Sequence, residues 1–396
     1  MKWTLIAVLW LTYFLNYVDR QVIFSLLPAL RAEIAMSNLE LGFLGSLFIW
    51  FYSLASPLGG RLADRYGPGR IIVASLLLWS GATLGTGLSG SVVPLLFWRA
   101  MTGVTEALYF PAAVSLLGAV HPQSMRSRAI SLHGSAQFAG IAAGGWFGGW
   151  MAEQFGWRSG FWYLTAGGVL WSVPLWMALR RSATRTVTER KPGRLADLRS
   201  RGYITLSTAF FGMCVMLWML YAWLPLFLHE RYGLSLSQSG LHATIFLQLG
   251  SLAGILGGGV AGDWANKRHR LGRLGLVGGG LLLASPFAVW VLSARELQTA
   301  EAAAGAFGVF AGIMLSNTMA AAYDMVPERS YGLAAGILTM VGGSAGGMAI
   351  LFAGAWKDTY GIEALMRWGA AAAAAAALLL LTSVRNQTPP QQGKTA

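Results

Sequence analysis

The sequence predicts an all-α membrane protein with twelve transmembrane helices in two pseudo-symmetric six-helix bundles, with both termini in the cytoplasm. Three observations favour this fold. The 396-residue chain is 55% hydrophobic but only 11% charged, whereas soluble proteins carry roughly a quarter charged residues. Apolar stretches of about 20 residues, each long enough to cross a hydrocarbon core as a helix, recur along the whole chain. A short sequence pattern also repeats after about half the length.

Apolar runs between polar breaks define the twelve predicted spans. They begin near residues 4, 39, 71, 94, 128, 159, 203, 239, 274, 299, 331 and 362. We expect the first span to be retained, because the apolar N-terminus runs into Asn16 and Tyr17 without a small-residue cleavage site. With the N-terminus inside, about 21 of the 29 Lys and Arg residues lie on the cytoplasmic side, about six outside and two within spans. This distribution follows the positive-inside rule.

The longest polar connection divides the spans into six and six. We predict an N-terminal six-helix bundle at 1–180, a basic cytoplasmic linker at 181–202, a C-terminal six-helix bundle at 203–384 and a disordered tail at 385–396. The halves share a weak repeat: Gly60 lies four residues before Asp64, and Gly259 lies four residues before Asp263. The two copies are 199 residues apart, which is typical of parallel transporter halves.

Composition and motifs also exclude several classes of protein. The net charge is +13, but the basic residues lie between spans and not along one polar face, so we expect no nucleic-acid partner. The single cysteine, Cys214, excludes a disulfide framework, and we expect no metal site and no cofactor. No nucleophile, base and orienting group occur at a recognisable spacing, so the chain is not expected to be an enzyme.

Four ionisable side chains lie inside apolar, membrane-length segments: Asp19 and Arg20 in the first span, and Arg99 and Glu106 in the fourth. A charge at bilayer depth costs several kcal/mol and persists where a partner or a water-filled path compensates it. Arg99 and Glu106 are seven residues apart, so on a helix they face within roughly 20° of each other. Asp19 and Arg20 differ by about 100° and can meet different partners. These four residues are the first candidates for the functional site.

The stretch at 59–70, GGRLADRYGPGR, resembles the loop signature of the major facilitator superfamily, a class of secondary transporters. In that family the matching Asp braces the cytoplasmic start of the eleventh helix and holds the outward-facing state. The resemblance therefore implies a gate formed by Asp64 and Arg65, with Asp263 as its counterpart in the second half. The second copy carries Trp264 where a basic residue is expected, so Asp64 is the stronger candidate.

Two further stretches narrow the resemblance. The segments at 16–20 (NYVDR) and 99–112 (RAMTGVTEALYFPA) resemble the anion:cation symporter branch. That branch includes proton-driven carriers of sugar acids such as galactonate and glucarate, and relatives that carry sialic acid or glutamate. The resemblance implies a small anionic substrate and protons as partners.

In sugar-acid members of that branch the matching residues form two ion pairs, which here would be Asp19 with Arg99 and Arg20 with Glu106. An anionic substrate that competes for Arg20 would free Glu106, whose desolvation then favours its protonated form. Arg suits this task because its planar fork binds carboxylates bidentately. We therefore expect Asp19, Arg99 and Glu106 to couple protons and Arg20 to bind substrate. A static structural network is the alternative.

Other polar side chains are candidates for substrate contact. By resemblance to sugar-acid carriers, Tyr52 and Gln137 match positions that touch substrate, and His133 lies one helical turn before Gln137, where it could titrate near neutral pH. In the second half, Tyr221 and Asn317 are among the few polar side chains within spans. Residues of all these types also often serve only packing or bridging between helices.

Together these features predict a proton-coupled symporter of a small organic anion, either a sugar acid or another monocarboxylate. We expect it to work by alternating access as a monomer in the cell inner membrane, surrounded by lipid. The alternative is a spinster-like carrier of lysophospholipids or other amphiphiles. The segments at 16–20 and 323–328 (YDMVPE) resemble that group, and the nearly uncharged second half would suit an acyl tail.

Overall fold

The structure is a computed structural model, and it describes residues 2–121, 123–180, 194–269, 271–327 and 330–385. The described side chains do not include those of Lys2, Asp64, residues 123–128, Gly332, Val384 and Arg385. The helices are α1 (Lys2–Ser25), α2 (Leu27–Ile34), α3 (Asn38–Tyr66), α4 (Pro68–Leu88), α5 (Val92–Glu106), α6 (Tyr109–Val120), α7 (Gln123–Phe155), α8 (Trp157–Leu179), α9 (Arg201–Tyr232), α10 (Leu236–Arg268), α11 (Gly272–Ser293), α12 (Leu297–Tyr323), α13 (Tyr331–Tyr360) and α14 (Ile362–Arg385). The all-α prediction is confirmed.

Nine helical stretches in the described part of the chain are long and apolar enough to cross a membrane. They coincide with the second to fourth and the seventh to twelfth predicted spans. The other three predicted spans coincide with α1, α7 and α8, which are 24, 33 and 23 residues long. These helices have the length to cross a bilayer but are less uniformly apolar, as Asp19 and Arg20 illustrate in α1.

The fourth predicted span is broken directly after Glu106, where α5 ends; two residues separate it from the start of α6 at Tyr109. Pro111 accounts for the break, because it has no N–H to donate to the carbonyl of Ala107 one turn earlier. The junction also touches α3: a Cβ atom at Gly59 would lie 2.8 Å from the Ala107 carbonyl oxygen. Only glycine allows α3 to approach so closely, and this contact fixes the depth at which Glu106 sits.

Two helix pairs provide the main contacts between α1–α8 and α9–α14: α3 packs along α13, and α7 packs along α10. Small residues bring the backbones together, as is common in membranes. A Cβ atom at Gly240 would lie 1.9 Å from the Gly145 carbonyl oxygen, and the Ser46 hydroxyl donates to the Gly347 carbonyl at 2.7 Å.

Polar contacts between the two helix sets gather at one end of the molecule, which we call the Asn38 end. There the Asn38 amide donates to Asp358 at 2.6 Å, and the Ser237 backbone N–H donates to Glu153 at 2.8 Å. The opposite end, which we call the Asp263 end, contains the starts of α11 and α13 and the end of α10. The helix sets are therefore locked together at the Asn38 end.

The predicted linker joins α8 to α9 at the Asp263 end. Its residues 181–193 lie outside the described part of the chain, as do residues 386–396 of the predicted tail. The rest of the linker forms a short 3₁₀ turn at Leu195–Leu198, and Ser200 caps α9 by accepting a hydrogen bond from the Tyr203 backbone N–H. The Ser330 hydroxyl at the start of α13 donates to Asp197 at 2.6 Å, which ties the turn to α13.

Candidate functional site

The first and fifth helices bring Arg20 and Glu106 together. Arg20 Nε donates to Glu106 Oε2 at 2.6 Å, and the two side chains are 10% and 0% exposed. Glu106 is the last residue of α5, and its other oxygen, Oε1, has no hydrogen-bond partner. The sequence predicted this contact, and the structure contains it. Its role in proton coupling stays a prediction.

Three aromatic rings surround the Arg20 guanidinium. Its central carbon lies 4.7 Å from the centre of the Tyr17 ring, 5.2 Å from that of Phe48 and 4.2 Å from that of Tyr52. Each ring face attracts a cation, more strongly when water is excluded. The cationic form of Arg20 therefore has support besides Glu106. Tyr52 was predicted as a site residue. Phe48 was missed, although its position one turn before Tyr52 is a signal for it.

The second predicted ion pair, Asp19 with Arg99, is not among the ion pairs of the described residues, and that prediction is wrong as a direct contact. Both side chains are buried, but each has another partner. The Thr83 hydroxyl donates to Asp19. Arg99 Nη2 donates to the Arg20 backbone carbonyl at 3.0 Å, and its guanidinium lies 4.4 Å from the Phe48 ring. The four charges form one buried cluster with a single direct ion pair.

His133 is built into an aromatic stack. Its ring lies 4.5 Å from that of Tyr13, and its Nε2 lies 3.0 Å from the Tyr109 hydroxyl. The Tyr109 hydroxyl donates to the Leu9 carbonyl at 2.7 Å, so its oxygen accepts from Nε2–H of His133. His133 is fully buried. Gln137, one turn further along α7, is half-buried, and its side chain makes no hydrogen bond within the described residues.

The two predicted site residues of the second helix set have different surroundings. Tyr221 in α9 is buried and faces α1, where Gln21 Nε2 donates to its backbone carbonyl at 3.4 Å. Asn317 in α12 bonds to α10, because its Nδ2 donates to the Gly258 carbonyl at 2.8 Å. A Cβ atom at Gly262 would lie 1.8 Å from Asn317 Oδ1. The structure thus brings Tyr221, but not Asn317, to the helix that carries Arg20.

The predicted gate residues lie at the Asp263 end. The side chain of Asp64 lies outside the described residues. Arg65 is exposed and lies 5.2 Å from the Tyr66 ring. Asp263 pairs with Arg273 at 2.9 Å, and Arg273 also reaches Asp324 at 3.1 Å, which links the ends of α10 and α12 to the start of α11. Their gating role stays a prediction.

No group of three or more His, Cys, Asp and Glu side chains in the described ranges is arranged to hold a metal ion.

Two buried amides with no hydrogen-bond partner, Asn16 and Gln248, lie on α1 and α10. The sequence shows that these residues are polar within apolar spans, but it cannot show that they lack partners.

Comparison with known proteins places this geometry in a family. The profile of the Major Facilitator Superfamily matches residues 9–350. Among characterised sequences, the chain is 26% identical over 304 residues to the "Probable galactarate/D-glucarate transporter GudP" of Bacillus subtilis, an alignment that covers 68% of this chain and 66% of that protein. It is 25% identical over 391 residues to a "D-galactonate transporter" of Escherichia coli, covering 91% and 90%. It is 29% identical over 302 residues to the "Probable sulfoacetate transporter SauU" of Cupriavidus necator, covering 70% and 68%.

The fold resembles that of a crystallised protein described as a bacterial homolog of the human lysosomal transporter Spinster, in an inward-facing and unoccupied conformation. The TM-score is 0.78 at 20% sequence identity, and the match covers 97% of this chain and 95% of that protein. At this identity the likeness concerns the fold alone.

Proposed function

Because the chain belongs to the major facilitator superfamily, we propose that it is a secondary active transporter that carries a small organic anion together with protons. The substrate is a sugar acid or another monocarboxylate. The names of the three relatives support this substrate class, since galactarate, glucarate, galactonate and sulfoacetate are all small organic anions.

The proposed architecture has twelve spans in two six-helix bundles in the cell inner membrane, with α5 and α6 forming one span and both termini in the cytoplasm. The distribution of basic residues supports this orientation. It places the Asn38 end outside and the Asp263 end in the cytoplasm. Contacts at the Asn38 end then close the outer side, and transport requires them to break as one bundle rocks against the other. Asp64, Arg65 and Asp263 would form the cytoplasmic gate.

The observation that carries the proposal is a buried Arg that one carboxylate and three aromatic rings compensate together. Arg20 is held as a cation by Glu106 and by three aromatic rings. An anion that reaches Arg20 replaces the Glu106 carboxylate with its own, so the guanidinium never loses its compensation. Glu106 is then a buried carboxylate without its cation, and protonation is the way to relieve that desolvation cost.

The rest of the charge cluster supports this exchange. Arg99 Nη2 holds the backbone carbonyl of Arg20, so it fixes α5 against α1 at the depth of the site. Asp19, held by Thr83, is a second buried carboxylate available for a proton. We assign proton coupling to Asp19, Arg99 and Glu106, and binding of the anion to Arg20.

Tyr52 and Tyr221 are the further substrate contacts we propose, because the Tyr52 ring lies 4.2 Å from the Arg20 guanidinium and the Tyr221 backbone accepts a hydrogen bond from Gln21 of the same helix as Arg20. Gln137 has unused hydrogen-bonding groups for a substrate. His133 and Asn317 act mainly as structural contacts, because Tyr109 and Gly258 already occupy them.

Uptake by reconstituted vesicles tests the proposal. An inward proton gradient should accelerate uptake of D-galactonate by the wild-type protein, and Glu106→Gln should remove that acceleration. Glu301→Gln is the matched control: Glu301 is another helical carboxylate that is largely withdrawn from solvent, at 13% exposed, but it contacts His242 on α10. Uptake that ignores the proton gradient, or that Glu106→Gln leaves unchanged, would contradict the coupling.

The spinster-like alternative makes a different prediction. A carrier of lysophospholipids should be stabilised against heat by lysophospholipids and not by hydrophilic acids, since a ligand stabilises the state that binds it. A thermal-shift comparison of D-galactonate with a lysophosphatidylcholine therefore separates the two functions on the same purified protein.

A further inference from the structure

Gln248 on α10 is a polar side chain that the fold buries without giving its amide a structural hydrogen bond. It is 3% exposed, and neither Oε1 nor Nε2 makes a hydrogen bond. A buried amide loses its hydration and gains nothing in return unless a partner arrives. Asn317 shows what a structural amide does in the same region, because its Nδ2 bonds to the Gly258 carbonyl of α10 at 2.8 Å. Gln248 has no such bridging contact.

The surroundings of Gln248 lead directly to Arg20. The Gln248 amide lies next to the Tyr221 hydroxyl. Tyr221 in turn lies near Tyr17 of α1, and the Tyr17 ring lies 4.7 Å from the Arg20 guanidinium. Tyr221 therefore lies between the amide on α10 and α1, the helix that carries the anion-binding Arg20.

The helix that carries Gln248 is held firmly by its neighbours. A Cβ atom at Gly250 would lie 2.1 Å from the Gly305 carbonyl oxygen, and one at Gly240 would lie 1.9 Å from that of Gly145. Helix α10 is thus packed tightly on two sides, against α12 and α7. Tyr221 is tied to α1 through Gln21.

We infer that Gln248, together with the Tyr221 hydroxyl, forms a hydroxyl-binding subsite for the part of the anion that lies away from its carboxylate. The inference rests on the proposed function, in which Arg20 binds the carboxylate. An amide both donates and accepts, as does an alcohol, so the pair matches a hydroxyl-bearing carbon chain and not an acyl tail. The preferred substrate is then a polyhydroxy monocarboxylate.

Binding of two six-carbon acids to the purified full-length protein tests the subsite. D-galactonate and hexanoate share a carboxylate and a chain length but differ in their hydroxyl groups. By calorimetric titration, the wild-type protein should bind D-galactonate more tightly. Gln248→Leu should weaken D-galactonate binding roughly tenfold, because the lost partner was a hydrogen-bonding group, and should leave hexanoate within about a factor of two. Tyr221→Phe, which removes only an oxygen, should act in the same direction.

Gln298→Leu is the matched control, since Gln298 is exposed near the start of α12 and should affect neither acid. Equal wild-type affinities for the two acids, or an equal loss for both in Gln248→Leu and Tyr221→Phe, would overturn the subsite and leave the transport proposal standing. A wild-type protein that bound neither acid would overturn both.

Discussion

The contact between Arg20 and Glu106 predicts that substitution of Glu106 strengthens anion binding. Loss of a residue in a binding site ordinarily weakens binding. The two side chains are buried and 2.6 Å apart. Unit charges about 4 Å apart attract by about 4 kcal/mol at an effective dielectric constant of about 20. An anion that takes Arg20 from Glu106 works against this attraction. Glu106→Gln removes the competing charge but keeps the shape, so anions should bind more tightly. Even a third of that energy, about 1.4 kcal/mol, corresponds to tenfold.

The same substitution should lower stability in the absence of ligand. Removing one partner of a buried pair typically costs about 3–5 kcal/mol, because the other charge is left uncompensated. The rings of Tyr17, Phe48 and Tyr52 reduce that cost for Arg20. We therefore expect Glu106→Gln to melt at a lower temperature than the wild-type protein without ligand, and to gain more thermal stability from a given concentration of D-galactonate.

Titration calorimetry and thermal shift on the same purified samples measure both effects. Glu301→Gln should leave the dissociation constant for D-galactonate unchanged, since Glu301 contacts His242 and not Arg20. Unchanged or weaker binding of D-galactonate by Glu106→Gln would refute the competition, and with it the reason for linking anion binding to protonation.

Two further predictions concern the scaffold. Gly103→Ala should destabilise the protein by about 1–3 kcal/mol, because its Cβ would lie 2.4 Å from a carbonyl oxygen of α3. Thermal melting measures this loss of stability. The control Gly81→Ala, with open space around it, should melt like the wild-type protein. Asp358→Asn should loosen the Asn38 end by about 1 kcal/mol, since the amide of Asn38 would lose a charged acceptor. Hydrogen–deuterium exchange should then rise in the neighbouring ends of α3 and α13, whereas Asp324→Asn at the other end should leave it unchanged.

The helices and the four buried charges could be predicted from the sequence, because both depend on rules that act residue by residue. Apolar runs of membrane length predicted the helices. Charges at bilayer depth are so costly that their presence alone marked Asp19, Arg20, Arg99 and Glu106. Helical periodicity placed Arg99 and Glu106 on one face of a helix, and resemblance supplied the contact of Arg20 with Glu106 that the structure contains.

Side-chain partners were harder to predict, because they depend on packing between helices distant in sequence. The expected partner of Asp19 was Arg99, but the hydroxyl of Thr83 on α4 reaches it instead. Asn317 was predicted as a substrate contact, which stays a prediction, but α10 passes so close that the Gly258 carbonyl accepts a hydrogen bond from its amide. A hydroxyl or a carbonyl leaves no charge signature in a sequence, so neither competitor was visible.

The same packing explains why the four charges divide into one direct ion pair and two contacts with neutral groups. Asp19 and Arg99 are each bound to a neutral group: a hydroxyl for Asp19, and a backbone carbonyl for Arg99. Among these four residues, only the Arg20–Glu106 contact joins two charges directly, and three ring faces are available to support Arg20 while its partner changes. If all four charges had formed two direct ion pairs, an anion that displaced one carboxylate would also have required the second ion pair to rearrange. Under the proposed function, the substrate therefore meets a single charged competitor at Arg20, which is Glu106, and Glu106 is the carboxylate whose partner the substrate removes.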